Sequence, residues 1–153
     1  MIMKQTIYLL LILILSACVA QPAQEPTPTI SIPFVLKQEE NPYAPRTGDL
    51  SLKQDGITLT SLSLSERYDL PPLRAELHVL GSMPSVCSEL RIIVNPPDIE
   101  YQISVEVYSV ADLKLNCENV FQQVQASILL GVYSAGQYTV WVNDGYVGDI
   151  VSY

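Results

Sequence analysis

Residues 136–151 read GQYTVWVNDGYVGDIV, and this stretch decides the fold class. Tyr138, Val140 and Val142 alternate with Gln137, Thr139 and Trp141, a period of two that puts one set on a buried face and the other outside. Asn143-Asp144-Gly145 follows at once, and all three residue types tolerate the positive φ that tight hairpin turns require. Residues 146–151 then return as a second strand. A hairpin with one apolar face needs a second layer to cover it.

Working back along the chain, the same alternation recurs. Val124, Ala126, Ile128 and Leu130 are interleaved with Gln123, Gln125 and Ser127. Leu90, Ile92 and Val94 form an inner face, Pro96-Pro97-Asp98 turns the chain, and Tyr101, Ile103, Val105 and Val107 return, with Val94 expected opposite Tyr101. Leu73, Ala75, Leu77 and Val79 point inward while Arg74, Glu76 and His78 point outward. Leu50 to Lys53 leads through Gln54-Asp55-Gly56 into residues 57–64, where Ile57 and Leu59 share one phase and Leu62 and Leu64 the other. A bulge near Ser61 reconciles the two phases. About eight strands fit into residues 49–153, with no helical window, and the reading is an all-β, antiparallel β-sandwich.

Composition agrees with one domain plus appendages. The chain has 153 residues, 48% hydrophobic and 16% charged, too apolar for disorder and of a length for a single core. Sixteen acidic against eight basic residues give a net charge of −8. That removes the cationic surface that a phosphate backbone requires, so nucleic acid is excluded as a partner. A single histidine leaves little support for a His-built metal site or most His-based catalysis.

The N-terminal segment carries an address. Residues 7–15 are nine consecutive apolar positions after Lys4, the h-region of a signal peptide and too short to span a membrane as a lasting helix. Leu15-Ser16-Ala17-Cys18 resembles the processing site of bacterial lipoproteins. That resemblance implies a signal peptide over residues 1–17, a diacylglyceryl thioether on Cys18, and a mature chain lipid-anchored to a membrane of the bacterial cell envelope, outside the cytoplasm. Two or more acyl chains hold firmly, each buried methylene contributing roughly 0.8 kcal/mol. Loss of Lys4 leaves seven cations against sixteen acids, a charge of −9.

With Cys18 consumed by lipid, Cys87 and Cys117 remain. An even pair in an oxidising compartment reads as a disulfide. Six of the eleven prolines lie between Pro22 and Pro45, which makes residues 18–48 a lipidated N-terminus and Pro-rich stalk. Fully extended, such a linker spans ~90 Å. Within it Ile30, Ile32, Phe34, Val35 and Leu36 form an apolar patch around Pro33, expected either to dock on the domain as an edge strand or to contact a partner.

The run Asn41-Pro42-Tyr43-Ala44-Pro45 before Gly48-Asp49, then Pro84, Cys87, Leu90-Arg91, Val105 to Ser109, Cys117 and Gly136 to Asn143, resembles a family of small, uncharacterised bacterial lipoproteins. The resemblance covers residues 41–151. It implies a disulfide-bonded, immunoglobulin-like extracytoplasmic β-sandwich and supplies no catalytic residues.

Motifs for chemistry are sparse. There is no G-x-S-x-G, C-x-x-C, H-E-x-x-H, EF-hand spacing or Gly-rich phosphate loop. His78 reads as a solvated strand residue. Asp144 and Asp149 flank the last hairpin and suggest a Ca²⁺ contact, although a solvated hairpin tip is the plainer reading, and no metal or cofactor is assigned. Outward phase places Tyr108 and Trp141 opposite the core, with Tyr146 just past the turn, as a binding surface for a glycan or a protein. The expectation is therefore a non-enzymatic, membrane-anchored interaction module whose partner is an envelope protein or glycan. The alternative is an inhibitor of an extracytoplasmic hydrolase, presenting the disulfide-braced loop Ala111 to Asn119.

Overall fold

The computed structural model describes residues 40–153. The expected signal peptide over residues 1–17, the expected lipidation site Cys18 and the Ile30 to Leu36 patch lie outside the described residues. Eight strands run in the order β1 (Lys53–Asp55), β2 (Thr58–Arg67), β3 (Arg74–Met83), β4 (Glu89–Val94), β5 (Gln102–Ala111), β6 (Gln122–Leu129), β7 (Gly136–Val142) and β8 (Gly145–Ser152). They form two sheets, one of three strands in the order β2-β3-β6 and one of five built around β5. The period-two apolar faces meet between them. Leu77, Val79, Ile92, Ile103, Val105, Ile128, Leu130 and Val140 are each at most 1% exposed, and burying one such side chain contributes about 1.5–3 kcal/mol.

β5 organises the larger sheet because both its edges are occupied. Along one edge β4 pairs antiparallel, from Glu89 opposite Val110 to Val94 opposite Val105. The other edge is shared. β7 lies parallel to residues 102–105, and β1 lies antiparallel to residues 109–111. Between these two neighbours the backbone of Val107 would be left bare. Asn143 fills the gap: its amide oxygen accepts from Val107 N at 2.8 Å and its Nδ2 donates to Val107 O at 2.8 Å. Its own N–H donates to Val105 O at 3.0 Å. A side chain thus stands in for a strand residue, satisfying backbone groups that a sheet interior cannot leave unpaired.

Three sequence expectations need correction. Val94 pairs with Val105 instead of Tyr101, because the turn is a longer loop. In it the Asp98 carboxylate accepts from the N–H groups of Glu100 and Gln102, while Tyr101 takes φ 61°. Leu50 to Lys53 is not extended throughout, since Thr47–Ser51 forms a 3-10 turn and leaves Leu50 95% exposed. One strand pair, β5 with β7, is parallel in a sandwich otherwise built from antiparallel pairs. The expected bulge is present, a register shift between Leu59 and Ser61 on β2. Opposite it, a Cβ on Gly81 would stand 2.6 Å from Thr58 O, so the bend and the glycine come together.

Residues 40–52 form a strap along β4. The Tyr43 carbonyl accepts from Ile92 N at 2.9 Å and Asn41 Nδ2 donates to Ile92 O at 2.9 Å, so the edge of β4 is covered. Further along, Asp49 accepts from two of the three guanidinium nitrogens of Arg91, Nε at 2.6 Å and Nη2 at 2.8 Å. Arg91 sits in an outward phase, yet its side chain is only 3% exposed. Glu89 adds a contact at 2.9 Å. The Arg91 guanidinium beside Asp49 holds that carboxyl down to about 2, as expected when a fork-shaped cation binds a carboxylate with both oxygens. The residues that the sequence joins as Asn41 to Tyr43, Asp49 and Leu90-Arg91 are therefore one packing unit, which begins upstream of Asp49.

Candidate binding surface on the five-stranded sheet

The outward residues of β5, β7 and β8 define an open face. Ser104 lies beside Trp141 in the parallel ladder, and Trp141 lies opposite Tyr146 in the antiparallel one. The last turn explains how the two aromatics meet. Asn143 and Asp144 take φ 45° and 65°, giving a two-residue loop that pairs Val142 with Gly145. A register shift between Val140 and Trp141 makes Val147 the extra residue, so that Gly148 and Tyr146 both keep their proper faces. The rings of Trp141 and Tyr146 meet edge to face, centroids 5.5 Å apart at 67°, a preferred arrangement of ring quadrupoles.

Planar polar groups surround this pair. Trp141 Nε1 donates to Thr139 Oγ1 at 3.2 Å, and Tyr146 OH donates to Asp149 at 2.9 Å. Gln137 Nε2 donates to the other Asp149 oxygen at 3.4 Å. Asn95 Nδ2 donates to Ser104 Oγ and Glu106 Oε1 at 3.1 and 3.2 Å. The bond to Asp149 holds the Tyr146 hydroxyl above the ordinary tyrosine range, because ionising it would set two anions side by side. Tyr146 is 55% exposed and Trp141 is half-buried, so the face offers aromatic surface beside fixed donors and acceptors.

Tyr108 is not part of this group. It lies opposite Arg91, four residues along β5 from Ser104, and is half-buried. Burial, helped by the Asp49 charge, raises its hydroxyl above the usual range. Beside it a cleft of about 390 Å³ is lined by Gln54, Asp55, Gly56, Glu106 and Asn143, the opening that remains between β7 and β1. Asp144 and Asp149 do not converge either. Asp144 is at the turn, while Asp149 lies opposite Thr139 and is held by Tyr146 and Gln137. Among the described residues no group of three or more His, Cys, Asp or Glu side chains is placed to hold a metal.

Sequence reasoning missed two sets of residues. Asn95, Ser104 and Gln137 carry the outward phase, which was the signal available for them, and Asp149, read from the sequence only as a Ca²⁺ contact, joins them here. On the smaller sheet, His78 is less solvated than its strand position suggests: Nε2 lies 2.8 Å from Ser65 Oγ and Nδ1 lies 2.8 Å from Ser127 Oγ. This polar row crosses all three strands. The imidazole is satisfied on both nitrogens, the arrangement of an anchored side chain.

The fold and this surface define an eight-stranded β-sandwich whose larger sheet presents an aromatic and amide-rich face. Over residues 77–151, from β3 to β8, the chain is similar to the ORF11 beta-sandwich domain. No curated protein and no solved structure matches it. The Cys87–Cys117 disulfide is formed, with Cα atoms 5.9 Å apart.

Proposed function

We propose that this protein is a non-enzymatic binding module, lipid-anchored through Cys18 outside the cytoplasm, and that the Trp141–Tyr146 face takes a neutral, hydroxyl-rich glycan of the cell envelope. One observation carries the reading: an edge-to-face aromatic pair 5.5 Å apart set among Asn95, Ser104, Gln137, Thr139 and Asp149 on an open sheet. Aromatic rings cover the apolar faces of sugar rings, and planar amides and carboxylates take their hydroxyls. The nearby acids, Glu106 and Asp149, favour a neutral ligand over an anionic one.

Trp141 is the sole tryptophan of the chain, so its emission reports on this surface alone. Titrating the full chain with soluble cell-wall oligosaccharides should shift Trp141 emission saturably, and Tyr146→Ala should weaken the midpoint about tenfold. Unchanged emission together with no co-sedimentation with wall polymer would overturn the reading. The anchor has its own test, since a Cys18→Ser chain should leave the membrane fraction.

A further inference from the structure

The aromatic face does not end at Ser104. On β5 the outward phase continues through Glu106 and Tyr108 to Val110, alternating with the buried Ile103, Val105 and Val107. Successive outward residues lie ~7 Å apart, which puts Tyr108 ~14 Å along the strand from Ser104, the neighbour of Trp141. Asn95 ties Ser104 to Glu106 by donating to both. Glu106 and Tyr108 then line the cleft of about 390 Å³ together with Gln54, Asp55, Gly56 and Asn143. Face and cleft therefore share Glu106 and make one continuous polar path. The cleft has the volume of a small-ligand site. Amide, carboxylate and phenol groups on its walls suit hydroxyl groups, which both donate and accept.

The path is closed at its far end. Ser109 pairs with Leu90 of β4 on one side and with Asp55 of β1 on the other, so these two strands flank β5 on opposite edges. Asp49 is bound to Arg91 on β4, whereas Lys53, four residues later, already pairs with Ala111 from the β1 side. Residues 50–52 have to cross β5 to connect them. Val110 marks where they cross, since it carries the outward phase yet is 2% exposed. Tyr108, one outward position before it, stands directly against this ridge. At the other end of the path Gln137 and Tyr146 are exposed, and the sheet is open.

We infer that the path takes the terminus of a glycan chain and not its interior. The last ring enters the cleft between Gln54 and Glu106, the preceding rings lie towards Trp141 and Tyr146, and the ridge of residues 50–52 stops the chain. This inference rests on the glycan reading of the Trp141–Tyr146 face and adds a direction and a specificity to it. A polymer on the path continues past Trp141 into solvent but meets the ridge at Val110. An interior segment therefore forgoes the cleft, and only an end gains the contacts at both places. Asp55 and Glu106 disfavour an end that carries a carboxylate or phosphate, so the terminal ring is neutral.

The probe is neutral polysaccharide extracted from the walls of the cells that make the protein, intact and after partial acid hydrolysis, which multiplies chain ends at constant mass. Trp141 emission of the full chain is titrated with both preparations. Hydrolysis should lower the midpoint, expressed as sugar mass, in proportion to the ends created, so that the two midpoints coincide when expressed per chain end. Gln54 and Glu106 are exposed, and truncating both to alanine should keep the wild-type urea midpoint while weakening binding of the hydrolysate at least about tenfold. Should that double variant fail to fold, Gln54→Ala alone replaces it, with an expected loss of about threefold. Emission that shifts with a midpoint set by mass and indifferent to chain ends would overturn the inference and leave the aromatic face as a binding site. Undiminished affinity in the cleft variant would do the same. No shift with either preparation would remove the inference together with the reading on which it rests.

Discussion

Replacing Asp49 by Ala should be among the most damaging single changes at the protein surface. Asp49 binds Arg91 through two bonds of 2.6 and 2.8 Å, and the Arg91 side chain is 3% exposed. Without Asp49 the guanidinium keeps only Glu89, itself 55% exposed, and the Leu90 carbonyl at 2.9 Å. Breaking a buried pair on one side costs about 3–5 kcal/mol. The retained Glu89 contact puts the expected loss at ~3 kcal/mol, or ~2 M in urea midpoint for a domain of this size. Part of that loss depends on pH. Asp49 is lowered from 3.8 to about 2 in the folded chain, so its contribution is complete above pH 3.8 and disappears as pH falls through 2. The linkage corresponds to about 2 kcal/mol, reduced to ~1–2 kcal/mol by solvent at the rim of the site. Urea melts of both proteins from pH 7 to pH 2 should therefore show a gap that is constant down to about pH 5 and then narrows. Adding Arg91→Met should restore much of the loss, because it removes the stranded charge. A midpoint within ~0.3 M of wild type at pH 7, or a gap undiminished at pH 2, would refute the reasoning.

Two further outcomes are expected. Asn143→Ala removes both bonds to Val107 and imposes φ 45° on alanine, so chemical denaturation should show a loss of ~2–3 kcal/mol. Asn143→Gly, which restores the backbone freedom alone, should recover about 1 kcal/mol of it. Replacing Cys87 and Cys117 by Ser opens a loop with a sequence separation of 30 and should lower unfolding free energy by ~3–4 kcal/mol. Amide exchange should then accelerate first in residues 112–121 and leave the β2–β3 ladder unchanged.

Much of this architecture is legible in single residues. Alternation marks which side chains of β3, β6 and β7 enter the core, because a strand's two faces differ by one residue and need no distant information. The phase change between Leu59 and Leu62 signals the bulge for the same reason. The disulfide follows from parity once Cys18 is assigned to lipid. The outward phase of Trp141 and the adjacent turn bring Tyr146 beside it, so half of the candidate surface is visible in residues 136–151.

What tertiary structure alone decided has a different physical origin. Nothing local distinguishes an outward arginine in water from Arg91, which is buried because a strap forty residues upstream lays Asp49 across it. Register beyond a hairpin depends on loop geometry, and here the Asp98 carboxylate, bonded to two N–H groups, moved the pairing partner of Val94 from Tyr101 to Val105. The parallel union of β5 and β7, and Asn143 filling the gap it leaves, arise from which edges remain free once the other strands have paired. The cleft beside Tyr108 likewise appears only when residues 54–56 and Asn143, far apart in the chain, are brought to the same strand. Periodicity is a property of neighbours in sequence, whereas edges, gaps and clefts exist only after distant segments have packed.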